Sequence, residues 1–146
     1  MISIQYPLYP YKIKEDEERN EFIFDELRKI WVRLTSEEWV RQNFVQYLLQ
    51  VMEYPSSYIA IEREIKLGER KKRFDVLVFN KSAKPWMMIE CKKMDRALDK
   101  KVIWQILHYN IAVPVKYLVI TNGESCLAFV KTEIDFEPIS DLPQWE

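Results

Sequence analysis

A mixed α/β (α+β) chain, its central sheet flanked by helices in the order α-β-β-β-α-β-β, is the fold this sequence predicts. Three observations carry it. A capped helix comes early, three strand-like runs joined by short turns follow it, and a second helix then separates the third run from another apolar strand by the length of a parallel crossover. At 146 residues, 48% hydrophobic and 14% aromatic, the chain is expected to form a single domain over 1–146 with a real core. Its 2 glycines and 7 prolines argue against low complexity.

The first 21 residues carry Pro7, Pro10 and the run Glu15-Asp16-Glu17-Glu18, and are expected to form an extended N-terminal arm outside the core. Phe22-Ile23-Phe24 and Ile30-Trp31-Val32 flank Asp25 to Lys29 and read as a short hairpin. Thr35-Ser36-Glu37-Glu38 is a capping-box signature, with Thr35 as N-cap and Glu38 three residues on. Behind it Val40, Phe44, Tyr47, Leu48 and Val51 recur at helical spacing, so a helix is expected over 36–53, stopped by Tyr54-Pro55. Tyr58 to Leu67, Phe74 to Phe79 and Trp86 to Cys91 are strand-like, with turns at Gly68-Glu69 and over Asn80 to Pro85. Connections this short make the three an antiparallel meander. A second helix is expected over 95–113, placing Val102, Ile103, Ile106, Leu107, Asn110 and Val113 on one face before Pro114 ends it. Tyr117 to Ile120 and Cys126 to Val130 are the last strands, joined through Thr121-Asn122-Gly123-Glu124. Residues 133–146 read as an acidic C-terminal tail.

The formal net charge of -1 removes the simplest nucleic-acid signature, a strongly basic domain, but leaves room for a local patch. Arg70-Lys71-Lys72-Arg73, Lys92-Lys93 and Lys100-Lys101 are such local clusters. Two cysteines without metal-ligand spacing and a single histidine, His108, count against a zinc site or a Cys-His nucleophile pair. His108 is expected to be an ordinary surface or core residue. No apolar run is long enough to span a membrane and no signal peptide is legible, so a cytoplasmic, soluble protein with no membrane partner is the expectation.

The strands Phe74 to Phe79 and Trp86 to Cys91 raise a question: why does the first open on Asp75, and the second run into Glu90 and Lys92? Alternation along a strand puts Met88, Glu90 and Lys92 on one face, and sets Asp75, Leu77 and Phe79 against Phe74, Val76 and Val78. A meander turn between Phe79 and Trp86 brings Asp75 opposite Glu90 within about a residue. A frayed strand end emerging into solvent accounts for any one of these charges alone. The conjunction, Asp followed a hairpin later by Glu-x-Lys, is harder to explain that way. Paired carboxylates repel, and a divalent cation resolves the conflict. Oxygen ligands suit Mg²⁺ or Mn²⁺, which activates water and polarises a phosphodiester. Lys92 is then placed to hold the water or stabilise developing negative charge. Arg70, Lys71, Lys72, Arg73 and Lys93 stand where they can bind the phosphates of a nucleic acid.

"FDVLVFNKSAKPWMMIECKK" resembles the PD-(D/E)xK nuclease signature, with Asp75 in the aspartate position and Glu90-Cys91-Lys92 in the (D/E)xK position. Phe74 stands where the name has proline, a variable position in that family. "LTSEEWVRQNFVQYLL", "KKRFDVLVF", "IECKK" and "YLVITNG" look like the N-terminal nuclease domain of type I restriction enzyme R subunits, and especially like small stand-alone proteins carrying only that domain. The resemblance spans about Trp31 to Val130 and implies a restriction-endonuclease-like core and Mg²⁺-dependent (or Mn²⁺-dependent) hydrolysis of DNA. It further implies that Asp75 and Glu90 hold the metal, helped by the Cys91 carbonyl. An acidic residue on the first helix often joins such a site. Glu37 and Glu38 compete for that place, and the helical face favours Glu37, near the Val40-Phe44-Leu48 stripe, whereas Glu38 suits the cap. Gln105 and Tyr109, four apart on the second helix, resemble the QxxxY motif that lies beside the site in this branch of nucleases.

A non-catalytic DNA-binding or assembly module of the same fold is the rival expectation, since R subunits work beside a motor and partner subunits that this chain lacks. DNA is the expected partner, with a homodimer or a separate subunit alongside it. RNA and branched DNA are not distinguished. Trp31, Trp39, Trp86 and Trp104 are expected in the core or an interface rather than as base-stacking platforms, and Trp145 is not placed.

Overall fold

The computed structural model describes residues 1–146. A three-stranded antiparallel sheet comes first, built from β1 (Ile13–Glu15), β2 (Glu21–Asp25) and β3 (Ile30–Arg33). Helix α1 (Ser36–Gln50) follows, then a turn of 3-10 helix at Ser56–Tyr58 and the meander β4 (Ile59–Leu67), β5 (Arg70–Phe79) and β6 (Pro85–Cys91). Helix α2 (Lys100–Tyr109) leads to β7 (Tyr117–Thr121), β8 (Cys126–Lys131) and β9 (Phe136–Ile139). The main sheet has six strands in sequence order, β4-β5-β6-β7-β8-β9. Every neighbouring pair is antiparallel apart from β6 and β7, which run parallel across the α2 crossover.

The mixed sheet, the meander, the crossover and the early hairpin all match expectation. Each helix covers one face. Val40, Phe44, Val45 and Leu48 of α1 pack on Val76, Val78, Met87 and Ile89. Ile103, Ile106 and Leu107 of α2 pack on the face of Leu77, Met88, Leu118 and Ile120. Thr35 caps α1 as expected, its Oγ1 accepting from Glu38 N–H at 3.0 Å. Asp99 caps α2 through Val102 N–H at 2.9 Å, so that helix starts at Lys100 rather than near 95. Both helices are shorter than predicted. Val51 N–H donates to Tyr47 O and Glu53 turns into positive φ (57°), which ends α1 before the proline is reached.

Two expectations about the ends are corrected. The N-terminal segment is not an arm outside the core: Ile2 is buried, its N–H donates to Cys126 O at 2.8 Å, and β1 joins the first sheet. The acidic tail is not loose either. It supplies the edge strand β9, buries Phe136 and Leu142, and hydrogen-bonds Trp145 Nε1 to Phe79 O at 2.9 Å. Apolar residues spaced among the acidic ones hold it down. The full order is therefore βββ-α-βββ-α-βββ, with the predicted α-β-β-β-α-β-β inside it.

The first sheet is locked onto α1 by charge as well as by packing. Asp25 is fully buried at the end of β2 and accepts from the backbone N–H groups of Leu27 and Arg28, from Arg28 Nε at 2.6 Å and from Gln42 Nε2 at 3.0 Å. Burial pushes its pKa up, but the Arg28 and Gln42 hydrogen bonds outweigh that and hold it below the ordinary carboxylate value. Such a group adds stability above the ordinary pKa, lost as pH falls through the lowered folded value. Asp25→Ala should therefore cost about 3 kcal/mol in urea unfolding at neutral pH, with a deficit that shrinks in acid.

Candidate active site

Strand β6 and the residue that follows it deliver Glu90 and Lys92 to one cleft of about 400 Å³, where they meet Lys72 and Arg73 of β5 and Gln105 and Tyr109 of α2. The faces of the third strand thus fall as its alternation predicts. Lys71 and Arg96 add to the basic rim. Gln105 and Tyr109 line the same wall, as an i, i+4 pair on one helix face should. The basic run 70–73 is the start of β5, which begins at Arg70 rather than at the expected Phe74, since β4 and β5 pair out to Leu67 and Arg70.

Lys72 is the residue of that run most tied to the site. It hydrogen-bonds Asn110 Oδ1 and lies 4.0 Å from the Tyr109 ring centroid, a cation–π contact that pins the end of α2 to β5. Burial lowers its pKa, partly offset by Glu90. Arg73 pairs with Glu62, Lys71 lies 3.7 Å from Glu64, and Arg70 lines a neighbouring hollow with His108. Lys93 points away from this cleft into a second one, beside Glu37, Arg33 and Ser36.

Asp75 lies one step beyond the last β5–β6 pair, Val76 with Ile89, and so stands opposite Glu90 in register as expected, but unlike Glu90 and Lys92 it does not line the cleft. The predicted alternation of β5 fails at this residue. Phe74 joins Leu77 and Met88 on the α2 side, while Val76 and Val78 face α1. Opposite Asp75, Glu62 of β4 adopts positive φ (51°) and drops out of the ladder between the pairs Ile61 with Val76 and Arg63 with Phe74. Beside this irregularity the Asp75 carboxylate turns toward α1 and the end of β6. There one oxygen accepts from Cys91 N–H at 2.9 Å and the other lies 3.5 Å from Arg41 Nη2.

Glu90 makes no hydrogen bond or ion pair, and its pKa is pushed up to about 7, chiefly by burial and next by the Asp75 carboxylate. Its repulsion from Asp75 is the one anticipated from sequence. The Cys91 thiol is buried among the residues under α1 with its pKa well above the ordinary value, so only its carbonyl remains as a donor. The Glu37 carboxylate lies 3.9 Å from Arg41 and lines the second cleft, although its charge is felt at Glu90. No group of three His, Cys, Asp or Glu side chains is close enough to hold a metal ion by itself. Two carboxylates in repulsion, one without partners, nonetheless match the oxygen donors a hard divalent cation takes.

Sequence reasoning missed Arg41. Its Nη1 lies 2.8 Å from Glu38 and 2.5 Å from Glu62, and it is buried between α1, β4 and β5. Glu38 consequently does not return to cap the helix. It is buried in this network, accepting also from Gln42 Nε2 at 2.9 Å, and burial raises its pKa. The available signal was Glu38, Arg41 and Gln42 at i, i+3 and i+4 among apolar residues, the spacing of one helix face.

The raised pKa of Glu90 has a measurable sign. Its proton binds more readily in the folded than in the unfolded state, so stability falls as pH rises from the ordinary 4.5 through about 7. Glu90→Gln should stabilise the metal-free protein by roughly 2 kcal/mol at about pH 8 and by almost nothing near pH 4, read by urea unfolding in EDTA.

No curated protein matches this chain. Residues 36–143 match the model of the family described as type I restriction enzyme R protein N terminus (HSDR_N). The match runs from the first residue of α1 past β9 and leaves out the first sheet. It covers well over half of the sequence and bears out the resemblance to type I restriction enzyme R subunits: the chain belongs to the family of type I restriction enzyme R protein N-terminal domains.

Proposed function

We propose that the protein is a Mg²⁺-dependent (or Mn²⁺-dependent) nuclease of the PD-(D/E)xK kind that hydrolyses phosphodiester bonds in DNA. One observation carries this reading: Glu90 and Lys92 open into one basic cleft with Asp75 pressing on Glu90 from behind. Asp75, Glu90 and the Cys91 carbonyl are the groups that would hold the cation, with water and substrate phosphate oxygens completing its shell, as is usual for Mg²⁺. Glu37 would join only after leaving Arg41. When bound, the metal supplies Lewis acidity toward the phosphodiester. Lys92 holds the attacking water and faces the negative charge that grows on the phosphate. Lys71, Lys72 and Arg73 bind the backbone on one side of the cleft, and Gln105 with Tyr109 orients it from α2.

A second reading is favoured by the state of Asp75. Its two oxygens already have Cys91 N–H and Arg41 as partners, which suits a non-catalytic module that binds DNA or a partner subunit through the same cleft. Calorimetry decides between them. On the nuclease reading, the wild type binds Mn²⁺ in the presence of a short DNA duplex. Asp75→Ala and Glu90→Ala lose that binding, and Lys92→Ala keeps it but cuts DNA at least about 100-fold more slowly. Failure of the wild type to bind metal with or without DNA would establish the non-catalytic reading instead.

A further inference from the structure

We propose that the outer face of the three-stranded sheet is a stacking platform for single-stranded DNA, separate from the cleft. Alternation along the strands gives the sheet two unlike faces. Ile23 and Asp25 point inward and are fully buried. The residues that alternate with them, Phe22 and Phe24, point outward and centre two rows across the three strands. Lys14, Phe22 and Arg33 make one row, by the register of Phe22 with both neighbours. Lys12, Phe24 and Trp31 make the next, since Phe24 pairs with Trp31 and its N–H donates to Lys12 O. Each row thus sets a basic side chain beside aromatic surface.

The aromatics are partly open to solvent, and Trp31, expected from the sequence in the core or an interface rather than as a stacking platform, is 39% exposed. Phe24 and Trp31 meet edge to face at 5.3 Å, giving a broad surface of two non-parallel rings. Lys14 Nζ lies 4.3 Å from the Trp31 centroid and Lys12 Nζ 5.4 Å from that of Phe24. Lys12 is otherwise only 3.9 Å from Glu26, and Lys14 makes no ion pair. Alternating aromatic and cationic side chains on an exposed sheet are what a single strand requires: bases stack on the rings, and the ammonium groups move from the ring faces to the phosphates. A duplex hides its base faces and cannot use the rings. This charge complement is what commits the face to a nucleic acid strand.

Position supports the same assignment. Arg33 also lines the second cleft with Ser36 and Lys93, and Lys93 directly follows Lys92 of the proposed active site. A strand leaving the platform past Arg33 and Lys93 reaches the end of β6. The sheet lies outside residues 36–143, so the platform belongs to this chain's own N-terminal segment. The choice of DNA rests on the reading of the cleft given above.

The test is fluorescence anisotropy of a labelled oligothymidine of about 15 nucleotides at low salt. EDTA is present in every binding measurement, so binding is read independently of cleavage. The full-length wild type should bind it, and more tightly than a duplex of the same length. Trp31→Ala should weaken binding about tenfold, and Lys12→Glu with Lys14→Glu should weaken it further and flatten its salt dependence. Phe24→Leu, which keeps apolar volume in the sheet, should also weaken binding and serves if Trp31→Ala fails to fold. Trp104→Ala, exposed on α2, should bind as the wild type does. No binding by the wild type, or full binding by the folded platform variants, overturns the proposal. So does a concentration-dependent dimer that Trp31→Ala disperses while leaving DNA binding intact, which would give the face to a second copy. Platform-dependent binding without any cleavage when Mg²⁺ or Mn²⁺ is restored supports the platform and counts against the nuclease reading alone.

Discussion

Arg41 is the constraint on which the rest of this structure depends. Its guanidinium is buried within 4 Å of Glu37, Glu38, Glu62 and Asp75, four carboxylates drawn from α1, β4 and β5. A buried cation of this kind is tolerable only when paired, and the carboxylates are tolerable together only around it. Desolvation lowers the Arg41 pKa, but its acidic neighbours outweigh that and raise it overall. Glu62 is held below its ordinary value in turn, because the nearby arginines outweigh its own burial. Neither partner can be removed without stranding the other.

From that centre the network runs in two directions. Glu38 passes it to Gln42 and Arg28, and through them to Asp25 at the end of the first sheet. Asp75 passes it to the Cys91 backbone and to the charge environment of Glu90. The N-terminal sheet and the cleft are thus coupled through hydrogen-bonded side chains rather than through a shared apolar core. Both clefts open where this chain of charges reaches the surface. One is dominated by the basic residues of β5 together with Lys92 and Arg96, and the other mixes arginines with Glu37, Glu38 and Glu62.

This arrangement gives Asp75 and Glu90 unlike characters although they stand opposite each other in the register of two paired strands. Asp75 is satisfied by a backbone N–H and by Arg41. Glu90 is half-buried with no hydrogen-bond partner and carries the cost of its charge. An asymmetric pair suits a site in which one carboxylate is fixed and the other awaits a ligand. The family match covers residues 36–143, from the start of α1 past β9, and the charge network extends that fold to a sheet the match does not include.

What the sequence by itself determined were the features that depend on local period and local turns. The helix behind Thr35, the meander, the crossover from β6 to β7, and the placing of Glu90, Lys92, Gln105 and Tyr109 on common faces all follow from spacing along the chain. Short-range geometry fixes such relations before any distant contact forms. Only the tertiary structure decided where Asp75 points, because a positive-φ residue in the neighbouring strand breaks the alternation there. It alone sent Glu38 inward instead of to the cap, and turned a supposed arm and tail into a core residue and an edge strand. Apart from Glu38, whose helix-face spacing with Arg41 and Gln42 was readable, these outcomes turn on partners distant along the chain, as Arg41 and Glu62 are for the charges and as the apolar contacts of Ile2, Phe136 and Leu142 are for the ends, and no local period records such a pairing.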